Sequence, residues 1–224
     1  MKISTGLVGL DDLLGGGLPH GVTVVTGAHG TGVSTVGQHL AMTVGKDAEV
    51  LWVTAASDAQ VIVRLLRAEA GFALPEGDPE DWALNDAQWE RVAGAARRIR
   101  SLRITGVDAS SATVRRLTEV VDRRHPALVV IDGTALTGAD GVKVAAAGGC
   151  PVVLLAHGDP QDEALSDLAA AVVWLHRPDL HDPMAARAGE LDLVVLRHPG
   201  EASPIGVHTV ALRAHRIAEF PTAA

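Results

Sequence analysis

Gly27-Ala28-His29-Gly30-Thr31-Gly32-Val33-Ser34-Thr35 follows the apolar run Val22 to Val25 and leads into a helical pattern. A strand, a glycine-rich turn and a helix N-terminus in that order aim backbone N–H groups at one point, where the helix dipole also favours an anion. Set against the phosphate-loop motif G-x-x-x-x-G-K-[ST], Gly27, Gly32 and Ser34 hold their places, and Val33 stands where the lysine belongs. The competing reading is an ordinary glycine-rich strand-to-helix turn. The strand before the loop and the helix after it favour the phosphate loop, because the motif works only in that setting.

The valine decides what the loop is expected to do. A phosphate-loop lysine is a point charge on the β- and γ-phosphates, in the ground state and in the transition state. Losing a hydrogen bond to a charged group weakens binding by roughly 1.5–3 kcal/mol, and losing charge stabilisation costs the chemistry more. The expectation is weak binding of ATP or ADP with Mg²⁺, and little or no hydrolysis.

Working outward, Ser4 to Leu14 has helical spacing in its leucines and stops at Gly15-Gly16-Gly17. The spacing predicts a helix over Thr35 to Val44, a buried strand over Glu49 to Thr54, and a helix capped by Asp58 that runs to Ala70 and ends at Gly71. Phe72 to Asp81 reads as a surface excursion, Asp86 to Ile99 as an amphipathic helix, Leu102 to Ile104 as a short strand, and Ser111 to Arg124 as a helix closed by Pro126. Ala127 to Asp132 is an apolar strand that delivers a carboxylate at its end. This is the Walker B form, in which the acid orients water on a Mg²⁺ held by the phosphate-loop hydroxyl. Ser34 and Asp132 are therefore the candidate metal-side pair. Pro151 to Ala156 and Ala170 to His176 are further buried strands, and Leu191 to Arg197, Gly206 to Leu212 and Arg216 to Phe220 read as antiparallel hairpins. The pattern predicts an α/β fold: a mainly parallel central sheet flanked by helices, with C-terminal antiparallel β-hairpins.

Composition bounds the rest. With 224 residues, 47% hydrophobic and 3% aromatic, the chain is read as one α/β domain over residues 1–224 with a core of Val, Leu, Ile and Ala. A net charge of −8 argues against a strong sequence-independent grip on nucleic acid. The lone Cys150 excludes an intrachain disulfide and points to the cytoplasm, and no apolar run is long enough for a membrane span.

The ordered segments resemble the C-terminal motor domain of DnaB-type replicative helicases, a RecA-like P-loop fold, over nearly the full chain. Thr5-Gly6 to Leu14-Gly15 is similar to that family's opening helix, Gly27 to Thr35 to its Walker A loop, and Val50 to Thr54 with Arg64-Leu65-Leu66 to its second strand and following helix. Leu128 to Asp132 resembles its Walker B, Pro151 to Ala156 its sensor strand, Val172 to Arg177 its late strand, and Glu190 to His198 the segment before its arginine finger. The resemblance implies nucleotide contacts at Gly27, His29, Gly30, Thr31, Gly32, Val33, Ser34, Thr35, Asp132, His157 and Arg197. It also implies departures: Ala56 in place of the water-polarising glutamate, His157 in place of a sensor glutamine, and Pro199 at the arginine finger. The loops expected to line a DNA channel, Gly133 to Gly149 and Gly158 to Ala169, carry Lys143 as their only Lys or Arg against Asp140, Asp159, Asp162, Glu163 and Asp167. An acidic wall repels phosphate. The chain starts at the opening helix, so no N-terminal helicase domain or linker helix is expected.

Arg97, Arg98, Arg100, Arg103, Arg115, Arg116, Arg123 and Arg124 read as a solvated face pairing with Glu90 and Glu119 rather than a basic groove. His176, His181 and His198 lack the close spacing of a zinc site, and Trp52, Trp82, Trp89 and Trp174 read as packing. The leading expectation is a non-catalytic RecA-fold protein, a pseudoenzyme with a degenerate Walker A, acting through a protein partner or a homo-oligomer, or by weak nucleotide sensing. Nucleic-acid binding is expected to be weak or absent, with no membrane association. The alternatives are a divergent ATP-dependent helicase or translocase, and an ATP-independent DNA-binding module.

Overall fold

The computed structural model describes residues 2–75, 77–132, 138–158, 168–182, 184–197, 206–213 and 216–220. Its centre is a nine-stranded sheet in the order β3-β2-β4-β5-β1-β6-β7-β8-β9. β1 (Val22–Gly27), β2 (Val50–Thr54), β4 (Leu128–Asp132) and β5 (Val152–His157) are apolar on both faces and pair in parallel. Continuous Val/Leu/Ile runs suit strands covered by helices on either side. β3 (Ile104–Asp108) pairs with β2 and β6 (Ala171–His176) with β1, also in parallel. The sheet then turns antiparallel through β7 (Glu190–Arg197), β8 (Gly206–Arg213) and β9 (Arg216–Ala218).

Period-2 alternation sorts the strand residues into two cores. Val25, Val50, Trp52, Leu128, Val130, Val153 and Val173 face one way, where α1 (Val8–Leu13), α2 (Val33–Val44) and α3 (Asp58–Ala70) cover them. Val22, Val24, Leu51, Val53, Val129, Ile131 and Leu154 face the other way, toward α5 (Val114–Arg124) and α6 (Gly138–Gly148). A third cluster joins α3 to α4 (Asp86–Arg100) through Leu66, Leu74, Trp82 and Val92.

Several predicted boundaries move, each for a local reason. The opening helix covers only Val8–Leu13, because Asp11 accepts hydrogen bonds from Ser4 Oγ, Thr5 N and Thr5 Oγ1 and holds the preceding residues in an extended turn. α2 begins at Val33, two residues before the predicted start. Ser57, not Asp58, caps α3: its hydroxyl accepts from Gln60 N while the Gln60 side chain accepts from Ser57 N, a reciprocal capping box. The edge strand is Ile104–Asp108, not Leu102 to Ile104. α5 starts at Val114 after its Thr113 cap, and it ends on His125, whose φ of +48° closes the helix one residue before Pro126. Phe72 to Asp81 is more than an excursion, since Leu74 is buried and Phe72 packs in the third cluster. The stretch after Asp132 carries a helix, α6, whose alanine- and glycine-rich sequence gives no strong periodic signal. No described helix is long and apolar enough to cross a membrane.

Of the tryptophans, Trp52 is in the main core and Trp82 in the third cluster, while Trp89 is exposed and stacks on Trp82 at 6.5 Å. Cys150 is buried, which pushes its thiol up. Of the arginines on α4 and α5, Arg91, Arg98, Arg115 and Arg124 are engaged within the molecule. Arg98 pairs with Glu69 rather than Glu90, Arg115 with Glu119 as expected, and Arg124 with Glu49. Arg91 binds the carbonyls of Ala70 and Gly71, and Arg103 that of Asp47.

Candidate phosphate-loop site

Parallel strands align their carboxyl ends, and ligands of open α/β sheets gather at that edge. Here the register pairs Gly27 with His157 on one side and with Leu175 on the other, and Asp132 with Leu155. The ends of β1, β4, β5 and β6 therefore meet at the loop 28–32.

The loop is curved around its own backbone donors. Gly30 has φ +85° and Gly32 φ +106°, left-handed conformations that glycine takes without a Cβ penalty. Thr31 donates twice to the Ala28 carbonyl, from N at 3.2 Å and from Oγ1 at 2.8 Å, which pins the turn. A Cβ at Gly27 would stand 2.6 Å from Thr31 Oγ1, so the turn is built for glycine there. Gly32 caps α2, and the first helical bond runs from Val36 N to Gly32 O at 2.9 Å. The N–H groups of Val33, Ser34 and Thr35 precede that bond and have no intrahelical partner, as at any helix start.

Val33 does not reach toward this opening. Its side chain is 1% exposed and belongs to the main core. Ser34 Oγ donates to Asp132 Oδ1 at 3.3 Å, and Arg64 Nη1 lies 4.0 Å from Asp132 Oδ2. The hydroxyl and the carboxylate, 98 residues apart in the chain, are thus brought together as the motif requires. An oxygen-only pair of this kind suits Mg²⁺, which keeps most of its waters and takes one or two protein oxygens.

Two imidazoles sit at the mouth, His29 stacked on His157 with ring centroids 4.3 Å apart. Arg177, immediately after β6, donates from Nη1 to the Gly30 carbonyl at 3.2 Å. Its Nε and Nη2 bind Asp179 at 2.7 and 3.3 Å, which together with the Gly189 N–H holds that carboxyl below its usual range. Gly30, Gly32, Val33, Ser34, Thr35, His157, Arg177 and Leu212 line a cavity of about 460 Å³.

Every predicted site residue from Gly27 to Thr35, with Asp132 and His157, lies in this region. The Arg197 backbone pairs with Val172, and its side chain, like Pro199 and His198, lies outside the described residues, as do Asp159, Asp162, Glu163 and Asp167 of the expected acidic loop. Ala56 follows β2, its N–H bonded to Thr54 Oγ1. Lys143 pairs with Asp140 at 3.5 Å. Among the described residues no group of three or more His, Cys, Asp and Glu is arranged to hold a metal ion. Arg64 and Arg177 were missed as site residues. For Arg177 the sequence offers only a cation directly after an apolar strand; that this strand lies beside β1 is decided by the sheet.

Comparisons with known proteins meet at the same stretch. The family described as "ATPase: KaiC" matches residues 3–145, which hold the loop, β2 and Asp132. The chain belongs to the KaiC ATPase family. Among solved structures, this KaiC-family chain is similar to one described as an ATPase domain, with a TM-score of 0.83 and 15% identity over 99% of this chain and 92% of that one. A DnaB-like replicative helicase, described with its interactions with primase, gives a TM-score of 0.83 and 14% identity over 99% of this chain and 62% of that one. The RadB recombinase gives 0.62 and 21% identity over 97% of this chain and 99% of that one. These likenesses establish the RecA-like fold with its parallel sheet and C-terminal antiparallel strands. No curated protein matches the sequence significantly.

Two titratable groups make stability depend on pH. His39, on α2, is pushed down by burial, and its bond to the Thr5 carbonyl only partly offsets this. Its folded state binds the proton more weakly than the unfolded chain, so its contribution is present above about pH 6.5 and is lost as pH falls below it. Burial raises Asp192, but hydrogen bonds from Arg187, Thr209 and His176 outweigh that and hold it at about 2. Its contribution is present above about pH 4 and is lost as pH falls from there toward 2. Urea melts across pH 8 to 2 should show both losses. His39→Asn should flatten the upper one and Asp192→Asn the lower.

Proposed function

We propose that this protein is a nucleotide-binding member of the KaiC ATPase family that has lost efficient hydrolysis and acts through nucleotide-dependent contacts with a protein partner or with further copies of itself. The observation that carries the reading is a phosphate loop of intact curvature whose lysine position is a valine turned into the core. Gly30 and Gly32 to Thr35 offer the N–H groups that would hold the phosphates, and Ser34 and Asp132 would hold a Mg²⁺, which when bound neutralises phosphate charge. The residues keep the means of binding, but the loop carries no lysine and Ala56 offers no carboxylate for an attacking water. The intramolecular pairing of Arg98, Arg115 and Arg124, with the net charge of −8, supports weak or absent nucleic-acid binding. The single domain, the cytoplasmic setting and the oligomer remain parts of this proposal.

A second reading, an active ATP-driven motor, is favoured by the family itself and by the retained Ser34–Asp132 pair. Phosphate release from ATP separates the two. The purified protein should show no Mg²⁺-dependent turnover above buffer, and Val33→Lys should not create it, because Ala56 still offers no carboxylate for the attacking water. Steady Mg²⁺-dependent phosphate release, abolished by Asp132→Asn, would overturn the proposal in favour of the motor.

A further inference from the structure

The loop lacks its lysine, yet phosphate binding by backbone N–H groups alone forgoes the strongest available contact. The chain has three lysines, and none serves the loop. Lys2 Nζ is bound to the carbonyls of Leu14 and Gly15. Lys143 is paired with Asp140 on α6. Lys46 lies just beyond the C-terminus of α2, about 18 Å from the loop by helical rise. The cation has to come from a different residue type and a different element.

We infer that Arg177, delivered from the end of β6, is the phosphate-charge residue of this site, replacing in space the lysine that the loop replaces in sequence with Val33. The inference rests on the nucleotide-binding reading above and names the group that gives it affinity. Three observations converge. First, the β1–β6 register sets Gly27 beside Leu175, so residue 177 runs level with the loop. Second, Arg177 Nη1 already touches the loop at the Gly30 carbonyl, and the side chain lines the same cavity as Ser34, Thr35 and His157. Third, Asp179 grips the guanidinium by Nε and Nη2, so the planar fork is held by one edge while the Nη1 edge faces the loop. Leu180 completes the arrangement: a Cβ on Gly30 would meet its Cδ1 at 3.0 Å, so the segment after β6 packs directly on the turn. An arginine also keeps its charge at any working pH and can present two parallel donors to a phosphate, which a lysine cannot.

Asp179 is then a positioning residue. It leaves the pair nearly neutral overall, which suits a site that binds a terminal phosphate without strongly attracting every anion.

The test is calorimetric titration of the full chain with ADP, with pyrophosphate, and with adenosine as the phosphate-free control. Arg177→Gln should weaken ADP and pyrophosphate binding on the order of ten- to hundredfold, while Arg177→Lys, which keeps the charge and checks that the fold tolerates change there, should retain ADP binding within about fivefold of wild type. Adenosine binding should not respond to either variant. Wild-type ADP affinity in Arg177→Gln, with the protein folded by circular dichroism, would overturn this inference alone. No ADP binding by the wild-type chain would overturn both it and the nucleotide-binding reading.

Discussion

Gly32→Val should abolish measurable ADP binding, a loss of about a hundredfold or more. Gly32 sits at φ +106° as the cap of α2, and a Cβ there would meet nothing closer than Leu212 Cδ2 at 3.8 Å. Space is therefore not the obstacle. The obstacle is backbone conformation, since a β-branched residue in the left-handed region is strained by about 1–2 kcal/mol and relaxes by turning its peptide. Turning it swings the N–H groups at the start of α2 away from the point where they converge. Each lost hydrogen bond to a charged phosphate weakens binding by roughly 1.5–3 kcal/mol, so two of them account for the expected loss. The fold should survive with a modest fall in melting temperature. Titration with ADP beside a thermal melt separates the two effects, and unchanged affinity would show that the loop is not where phosphate binds.

Trp52→Ala should be the most destabilising single change in the core, by about 3–5 kcal/mol. Trp52 is 1% exposed on β2, one strand in from the β3 edge of the sheet, and packs in the core covered by α2 and α3. For a chain of this size that corresponds to a fall of about 6–20 °C in melting temperature. Trp52→Phe is expected to behave differently. The indole Nε1 is buried without a hydrogen-bond partner among the described residues, so the phenylalanine loses some volume but removes an unsatisfied donor worth about 1–3 kcal/mol. Near-wild-type stability for Trp52→Phe beside a large loss for Trp52→Ala would assign the residue's role to packing. Equal losses would mean that the N–H has a partner in solution.

Local chemistry made much of this protein legible. Glycines at the positions that need positive φ, an apolar strand before them and a helix after them identify the loop from one short stretch, because strand, turn and helix start are all encoded within a few residues of each other. The buried strands β1, β2, β4, β5 and β6 were readable for a similar reason: they are short continuous apolar runs, each closed by turn residues. The boundaries were less readable. Ser57 and Asp58 are both good caps, and only the reciprocal bond with Gln60 chooses Ser57. Leu102 and Ile104 are apolar around Arg103, yet the strand lies further on, because the pairing Val50 to Ile104 through Thr54 to Asp108 selects the register. α6 is rich in alanine and glycine and has no sharp polar face to announce it.

What the amino-acid sequence determined by itself was the RecA-like α/β pattern, the phosphate loop with valine at position 33, and the carboxylate waiting at Asp132. What only the tertiary structure decided was the set of side chains surrounding that loop. Sheet order places β6 and β5 on either side of β1, which brings Arg177 to Gly30 across 147 residues of chain and stacks His157 on His29, while α3 on the face of the sheet sets Arg64 against Asp132. Such contacts follow from strand pairing and helix packing, non-local interactions whose partners carry no mark in their own neighbourhoods.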